Sequence, residues 1–481
     1  MERLIAGLIM LILYLVIGTA LALVSRRLLG GRGEEDFYIA GGRLGGFLSA
    51  MTYAATTYSS FMIVGLVGFS YFTGVGALGF ELAYLVATVG ILVVLAPRVW
   101  SLARRRGWVS PGEMLSDIYG SRLLGVIASL LYMVALIPYA SAQLKGIGEA
   151  IAGMSGGGEV AYQAGVLLGI GVMLVWSLIA GIWSVATTDV LQGLWMLISA
   201  TLLLLWVYSN VSGEGVDVSY AASLLDKEGL TGLGGFWTPL VFLSFTLPWI
   251  FFAVTNPQVV QRLYMPRDER SLRSMVRWFS LFGLYYTILV TLIGLLARAG
   301  VEAGVFSINP DSNDQVTPLL LSIANPLLAS MVFTSIIAAS VSTADSILLT
   351  LASSASRDLR SGGGRTIGYI AALIVAMLMT MVAMLRISYI VKLSVLSSLL
   401  LLSLAPPTLA AWITGRRGDP RFIAAAILSG PLIVLVETLR TGSPLKAFTS
   451  TPLGLPIALL ILVVSTLLTI LSLRTSAPSV E

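Results

Sequence analysis

An all-α, polytopic membrane protein with about thirteen transmembrane helices is the fold class this sequence predicts, and three observations predict it. Hydrophobic residues fill 57% of the 481 positions and charged residues 11%, against about 45–50% and about 25% in soluble domains. The polar surface is too small to wet a globule of this size. The apolar residues gather into thirteen stretches, each long enough to cross roughly 30 Å of hydrocarbon as a helix of about 20 residues. The arginines alternate by loop: Arg26, Arg27 and Arg32 before the second stretch, Arg104, Arg105 and Arg106 after the third, Arg262, Arg267, Arg270 and Arg273 after the seventh, and Arg416, Arg417 and Arg421 after the eleventh. Such asymmetry marks the cytoplasmic face of a cell membrane, puts the N-terminus outside and the C-terminus inside, and requires an odd number of spans. The net charge of +5 then follows from topology, and nucleic acid is not implied.

The spans are expected at 3–25, 45–71, 77–97, 123–151, 160–181, 184–209, 236–260, 278–299, 320–354, 366–385, 388–413, 422–437 and 452–472. The first has no A-x-A-like cleavage site and reads as a retained helix. The second contains "AATTYSSF", Ala54 to Phe61, whose consecutive hydroxyl residues weaken the helix and can satisfy backbone groups freed by an unwound turn. On the fourth, Lys145 and Glu149 stand four residues apart and read as a local ion pair. The seventh contains "FTLPWIFFAVTNPQVVQR", where Pro248 and Pro257 each remove a ladder donor. The ninth holds "IIAASVSTADSILL", Ile336 to Leu349, with Asp345 and several hydroxyls at a depth where polar groups are costly and count as functional hypotheses.

Taken singly, serine, threonine and proline are ordinary in membrane helices, where they back-bond to the preceding turn or kink the chain. Breaks five helices apart are different, because they point to an inverted-repeat transporter with its sites at the midplane. The expected organisation is a flanking helix and loop over 1–44, a first repeat over 45–209, an outer loop over 210–235, a second repeat over 236–413 and flanking helices over 414–481. No cysteine and no histidine are present, which removes thiolate catalysis, the commonest zinc ligands and the commonest proton relay. The glycines of "SGGGR", Ser361 to Arg365, lack the Lys-Ser/Thr of a phosphate loop. An enzyme is not expected, nor an organic cofactor, nor an obligatory protein partner. A sensor would carry a signalling domain after the last span, and only a short tail follows there.

Four segments, "DFYIAGGRLGGFLSAMTYAATTYSS", "GIWSVATTDVLQG", "WIFFAVTNPQVVQRLYMPRD" and "AASVSTADSILLTLASSASRDL", resemble the sodium:solute symporter family. The resemblance covers spans two to eleven in order. It implies a leucine-transporter-like fold with five-plus-five inverted repeats, broken helices in spans two and seven, and sodium-driven import of a small organic solute by alternating access. A proton-coupled transporter of the same fold, or a solute channel or sensor, is the alternative.

At about 100° per residue, Ala339, Ser342, Thr343 and Ser346 share one face of span nine, and a hard monovalent cation needs about five or six oxygens. The resemblance implies sodium ligands at the carbonyls of Ala55, Tyr58 and Ala339 and the hydroxyls of Ser342 and Thr343. It also implies, for some relatives, a second cation position that here falls on Asp189, Ser342, Asp345 and Ser346. The carboxylate of Asp345 departs from the serine usual at that place, and three roles are open for it: second-cation ligand, proton carrier or structural hydrogen bond. Candidate solute contacts are Thr57 and Ser59 at the first break, Glu81 on span three, Tyr139 and Gln143 on span four, and Trp249, Thr255 and Asn256 on span seven. Trp249 matches a tryptophan of the proline-transporting branch and Glu81 a glutamate of the galactose-transporting branch, whereas Thr57 stands where the former has aspartate.

Overall fold

The computed structural model describes residues 2–25, 27, 33–232, 235–359, 364–415 and 417–475; Arg26, Arg32, Arg416 and the segment 361–363 lie outside these. Among the described residues, twelve helices are long and apolar enough to cross a membrane, and a thirteenth span is the bent pair Gly46–Thr57 and Phe61–Thr73, whose halves meet at 49°. Each corresponds to one expected span.

Helix ends follow local chemistry. Span three runs to Arg106 with Arg104, Arg105 and Arg106 in its last turn, where cations oppose the negative end of the helix dipole. Gly107 then takes φ +71°, a left-handed cap that costs glycine little. Span eight starts at Asp268, whose carboxylate accepts from the Ser271 amide at 2.7 Å; that bond holds its carboxyl below the usual range. Span nine starts at Pro326, capped by Asn325 accepting from the Leu328 amide at 2.9 Å. The expected start at 320 is therefore corrected: Val316–Ile323 forms its own helix, since Asn325 and Pro326 are a cap and a first-turn proline.

Span nine is the axis of the molecule. Its central window is 89% buried, against 28% for span one, and it packs against spans one, four, five, six and ten. The first half of span two lies against spans six, eight and nine. The arginine-rich side is tied together by Arg357, which bridges Glu34 and Glu113 at 3.2 and 2.6 Å, and by Asp358, which accepts from Ser110 at 2.8 Å and Ser129 at 2.5 Å.

The opposite side is held by a different pair from the one expected. Lys145 donates to Asp314 at 2.6 Å and to the Ser388 carbonyl at 2.8 Å, while Glu149 pairs with Arg386 at 2.5 Å. The Asp314 carboxylate also accepts from the Ile390 amide, at 3.0 Å from Oδ2, capping span eleven. Lys145 and Glu149 share a helix face, but a fully buried carboxylate on the loop before span nine draws the ammonium more strongly than a neighbour already served by Arg386.

Gly68 lets this loop sit on span two. A Cβ built there would lie 1.7 Å from the Asn313 carbonyl oxygen, whereas one at Gly79 would meet nothing nearer than 3.8 Å. Gly68→Ala is therefore expected to cost about 1–3 kcal/mol through overpacking, read as a lower thermal midpoint in detergent, with Gly79→Ala near wild type. Equal midpoints for the two variants would contradict this account of the loop.

Candidate functional site

The break in span two and the polar face of span nine meet. Span two leaves the helix at Tyr58, which takes φ −92° and ψ 103°, and resumes at Phe61, whose amide donates to the Ser59 hydroxyl at 3.1 Å. The last carbonyls before such a break lose their ladder donors. Ser342 donates to the Ala55 carbonyl at 2.8 Å and to the Ala339 carbonyl at 3.0 Å, and Thr343 lies 3.2 Å from the carbonyls of both Ala55 and Thr56. Ala55, Ala339, Ser342 and Thr343 thus form one cluster of oxygens at membrane depth, buried from both faces. Tyr58 adds the extended turn at its edge, and its ring stacks on Phe279 and Phe282 of span eight.

One turn along span nine is a second polar group. Asp189, fully buried on span six, accepts from Thr52 at 2.6 Å, and its other oxygen has no hydrogen-bond partner among the described residues. Ser346 lies 2.7 Å from the Thr56 hydroxyl and accepts from Arg262 Nη2 at 2.6 Å. Arg262 is 0% exposed. Asp345 is buried beside Ser346, and the Tyr14 hydroxyl accepts from Gln192 of span six at 2.7 Å.

The solute candidates gather around the two breaks. Span seven is interrupted at Phe251 and again at Asn256, where the backbone is extended at φ −85° and ψ 115°. Pro248 itself sits inside the helix Pro239–Ile250, a correction to the expected break there; the interruption falls three residues later. Trp249 donates to Glu81 at 3.0 Å and stacks on Phe61 with ring centroids 4.7 Å apart. Phe80, Tyr84 and Phe252 pack round the same indole, and Tyr139 meets Phe252 edge-on. Gln143 accepts from Ser60 at 2.9 Å, which fastens span four to the first break. Thr57 and Thr255 turn their hydroxyls back onto Tyr53 and Phe251, at 2.8 and 3.1 Å, and Ser59 caps Phe61, so these three serve their own helices. Asn256 keeps its side-chain carbonyl oxygen buried without a hydrogen-bond partner among the described residues. All eight candidates are buried.

Residues 37–412 match the sodium:solute symporter family. The chain belongs to that family. Its members are transporters and not enzymes. The sodium/pantothenate symporter of Escherichia coli (strain K12) is 27% identical over 299 residues, and that match covers 60% of this chain and 60% of the relative. Among solved structures, a sodium-coupled sialic acid symporter, substrate-bound and outward-open, is similar at a TM-score of 0.78 and 18% identity over 97% of this chain and 98% of its own. Mhp1, a nucleobase-cation-symport-1 family transporter in a closed conformation with bromovinylhydantoin bound, is similar at a TM-score of 0.58 and 14% identity, covering 91% of this chain and 94% of that one. The fold is the leucine-transporter-like one, with spans two and seven broken.

Sequence reasoning missed Arg262, counted as a loop charge, together with Thr52, Gln258 and the aromatic wall of Phe61, Phe80, Tyr84 and Phe252. A signal for the first was present. Gln258, Gln261 and Arg262 follow Pro257 at the i, i+3, i+4 spacing that puts three polar side chains on one helix face, so the polar stripe of span seven continues past its second break. Gln261 is fully engaged, donating to Val109 and Ser353 and accepting from Thr350 at 2.8, 2.9 and 2.7 Å. For this symporter-family chain, Trp249→Phe removes the indole donor to Glu81 and is expected to cost about 1–3 kcal/mol. Pairing it with Glu81→Leu should recover much of that loss in a double-mutant cycle of thermal midpoints, and strict additivity would mean that the 3.0 Å contact carries no coupling.

Proposed function

We propose that the protein is a sodium-coupled symporter importing a small organic solute that bears a carboxylate, such as an amino acid or a monocarboxylate, by alternating access in the cell membrane. The observation that carries this is the junction of Ser342 and Thr343 with the Ala55 carbonyl at the break of span two. Hydroxyls and freed carbonyls at the midplane are the ligands a small hard cation needs. Ala55, Tyr58, Ala339, Ser342 and Thr343 are the proposed sodium ligands. Asp189, Asp345 and Ser346 are the proposed second cation or proton position.

Two half-helices begin at the central breaks, at Phe61 and at Pro257, and such ends favour anionic groups. Pantothenate and sialic acid, named for the relatives above, both carry a carboxylate, which supports this solute class. Glu81, Tyr139, Gln143, Trp249 and Asn256 line the proposed solute chamber, with Thr57, Ser59 and Thr255 shaping its backbone. The two repeats are proposed at 45–209 and 236–413, with the N-terminus outside and the C-terminus in the cytoplasm. Energetically, one inward charge releases about 2.3 kcal/mol per 100 mV and a tenfold sodium gradient about 1.4 kcal/mol, enough to concentrate a neutral solute several-hundred-fold.

Counterflow in proteoliposomes against labelled amino acids, monocarboxylates, sugars and pantothenate, with and without sodium, tests the proposal. Sodium-dependent exchange of a carboxylate is expected; exchange of neutral sugars alone would overturn the solute class, and exchange indifferent to sodium would overturn the coupling. Ser342→Ala and Thr343→Ala each remove one of about five ligands with little change in volume. Each should raise the sodium concentration for half-maximal exchange several-fold, and unchanged sodium dependence in both would dismiss the ligand set.

A further inference from the structure

Spans three and eight pack side by side, and on the arginine-rich side they part. At that end they are joined through the loop before span eight, where Trp100 Nε1 donates to the Pro266 carbonyl at 2.8 Å and Arg104 to the same oxygen at 3.3 Å. Towards the midplane they close again: a Cβ built at Gly283 would lie 2.8 Å from Leu85 Cδ1. Between these contacts is a cleft of about 400 Å³, walled by Val89, Val93 and Pro97 of span three and by Leu272 and Val276 of span eight. That volume is within the roughly 300–1,000 Å³ of small-molecule sites. The cleft opens sideways, since Val93 on its wall is 60% exposed and the adjoining Val94 72%.

The charged groups of this cleft are all at one end. Glu269, Arg273 and Arg277 line it at four-residue intervals, one face of span eight with the carboxylate nearest the helix end. Glu269 pairs with Arg273 at 3.1 Å. Arg277 stands about 12 Å from Glu269 along the axis, and no salt bridge among the described residues takes it. Deeper in, Ser280 turns its hydroxyl onto its own helix, donating to the Val276 carbonyl at 2.7 Å, so beyond Arg277 the walls offer a ligand only apolar surface. The half-exposed Trp278, next to Arg277, meets the half-exposed Phe47 edge-on. Aromatics of this kind stand at the level of lipid headgroups, which places Arg277 at headgroup level and the valines at acyl depth.

We propose that this cleft seats one anionic phospholipid from the leaflet on the arginine-rich side, with its phosphate on Arg277 and Arg273 and an acyl chain between spans three and eight. A cationic mouth over an apolar trough is the complement of an amphiphile with a negative head. The planar fork of a guanidinium matches phosphate geometry, and basic pockets between membrane helices take anionic headgroups. A water-soluble anion would leave the trough unfilled, and a lipid with a choline head would bring its own cation against the two arginines. On the topology proposed above the leaflet is the cytoplasmic one, where anionic lipids gather. Span three belongs to the first proposed repeat and span eight to the second, so the lipid ties one to the other. The inference depends on neither the sodium ligands nor the solute.

Native mass spectrometry of the purified full chain, from detergent micelles titrated with phosphatidylglycerol or phosphatidylcholine, reads the occupancy. Wild type should retain one phosphatidylglycerol per chain and several-fold less phosphatidylcholine. Arg277→Gln should lose most of that retention, and Arg277→Lys, which keeps the charge, should hold more of it. Val93→Trp fills the trough from an exposed position, leaves both arginines in place and should lose retention as well. Arg270→Gln, which removes a neighbouring arginine from outside the cleft lining, should match wild type. Should Val93→Trp not fold, the thermal midpoint in detergent gives the same reading: phosphatidylglycerol should raise it for wild type and Arg270→Gln and leave Arg277→Gln unmoved. Equal retention of the two lipids, or phosphatidylglycerol retained undiminished by Arg277→Gln and Val93→Trp alike, would overturn the site. Displacement of the lipid by millimolar inorganic phosphate would reduce it to an anion site on the arginines and overturn the lipid assignment.

Discussion

Breaking a helix at membrane depth leaves carbonyls and amides that no water reaches, and the rest of this molecule is arranged around supplying their partners. Span two breaks at Tyr58; the carbonyl side is answered from far away in sequence by Ser342 and Thr343 of span nine, and the amide side locally by Ser59. Span nine has to be the most buried helix because it carries those hydroxyls to the break. The helices packed about it, spans one, four, five, six and ten, keep it there. A break that only kinked the chain could satisfy itself locally, as Thr57 and Thr255 do by bonding to their own preceding turns.

Much of this was legible in the sequence because hydropathy and helix periodicity are local. Thirteen spans, the interruption at Thr56 to Ser60 and the face shared by Ala339, Ser342 and Thr343 all follow from residues within a few turns of one another. What was not legible depended on which distant group a side chain meets. Lys145 has Glu149 one turn away, yet it pairs with Asp314 across a loop. Pro248 looks like a helix breaker, but the helix runs through it and yields at Phe251. Arg262 counts as an ordinary loop charge until the half-helix bearing it turns inward against spans two and nine. The aromatic wall around Trp249 comes from spans two, three and seven, and no single stretch announces it.

The two polar layers of the core differ in kind. The layer at Ala55, Ala339, Ser342 and Thr343 is neutral and built from dipoles, so it can change its partners by rotating hydroxyls. The layer at Ser346 holds the guanidinium of the fully buried Arg262 at 2.6 Å, a formal charge in a dry setting where losing its acceptor would be costly. One layer suits exchange and the other permanence, although they lie one helical turn apart on span nine.

The networks at the two faces differ in how much water reaches them. Arg357, Glu34 and Glu113 are 31%, 22% and 21% exposed, whereas Lys145 and Asp314 are 7% and 0% exposed. Mobile ions screen charges in contact with solvent over about 8 Å at physiological ionic strength and reach enclosed pairs far less. The Arg357 network should therefore loosen as bulk salt rises, while the Lys145–Asp314 pair keeps its hold. Ionic strength then acts unevenly on the two networks, reaching the Arg357 bridge well before the Lys145–Asp314 pair.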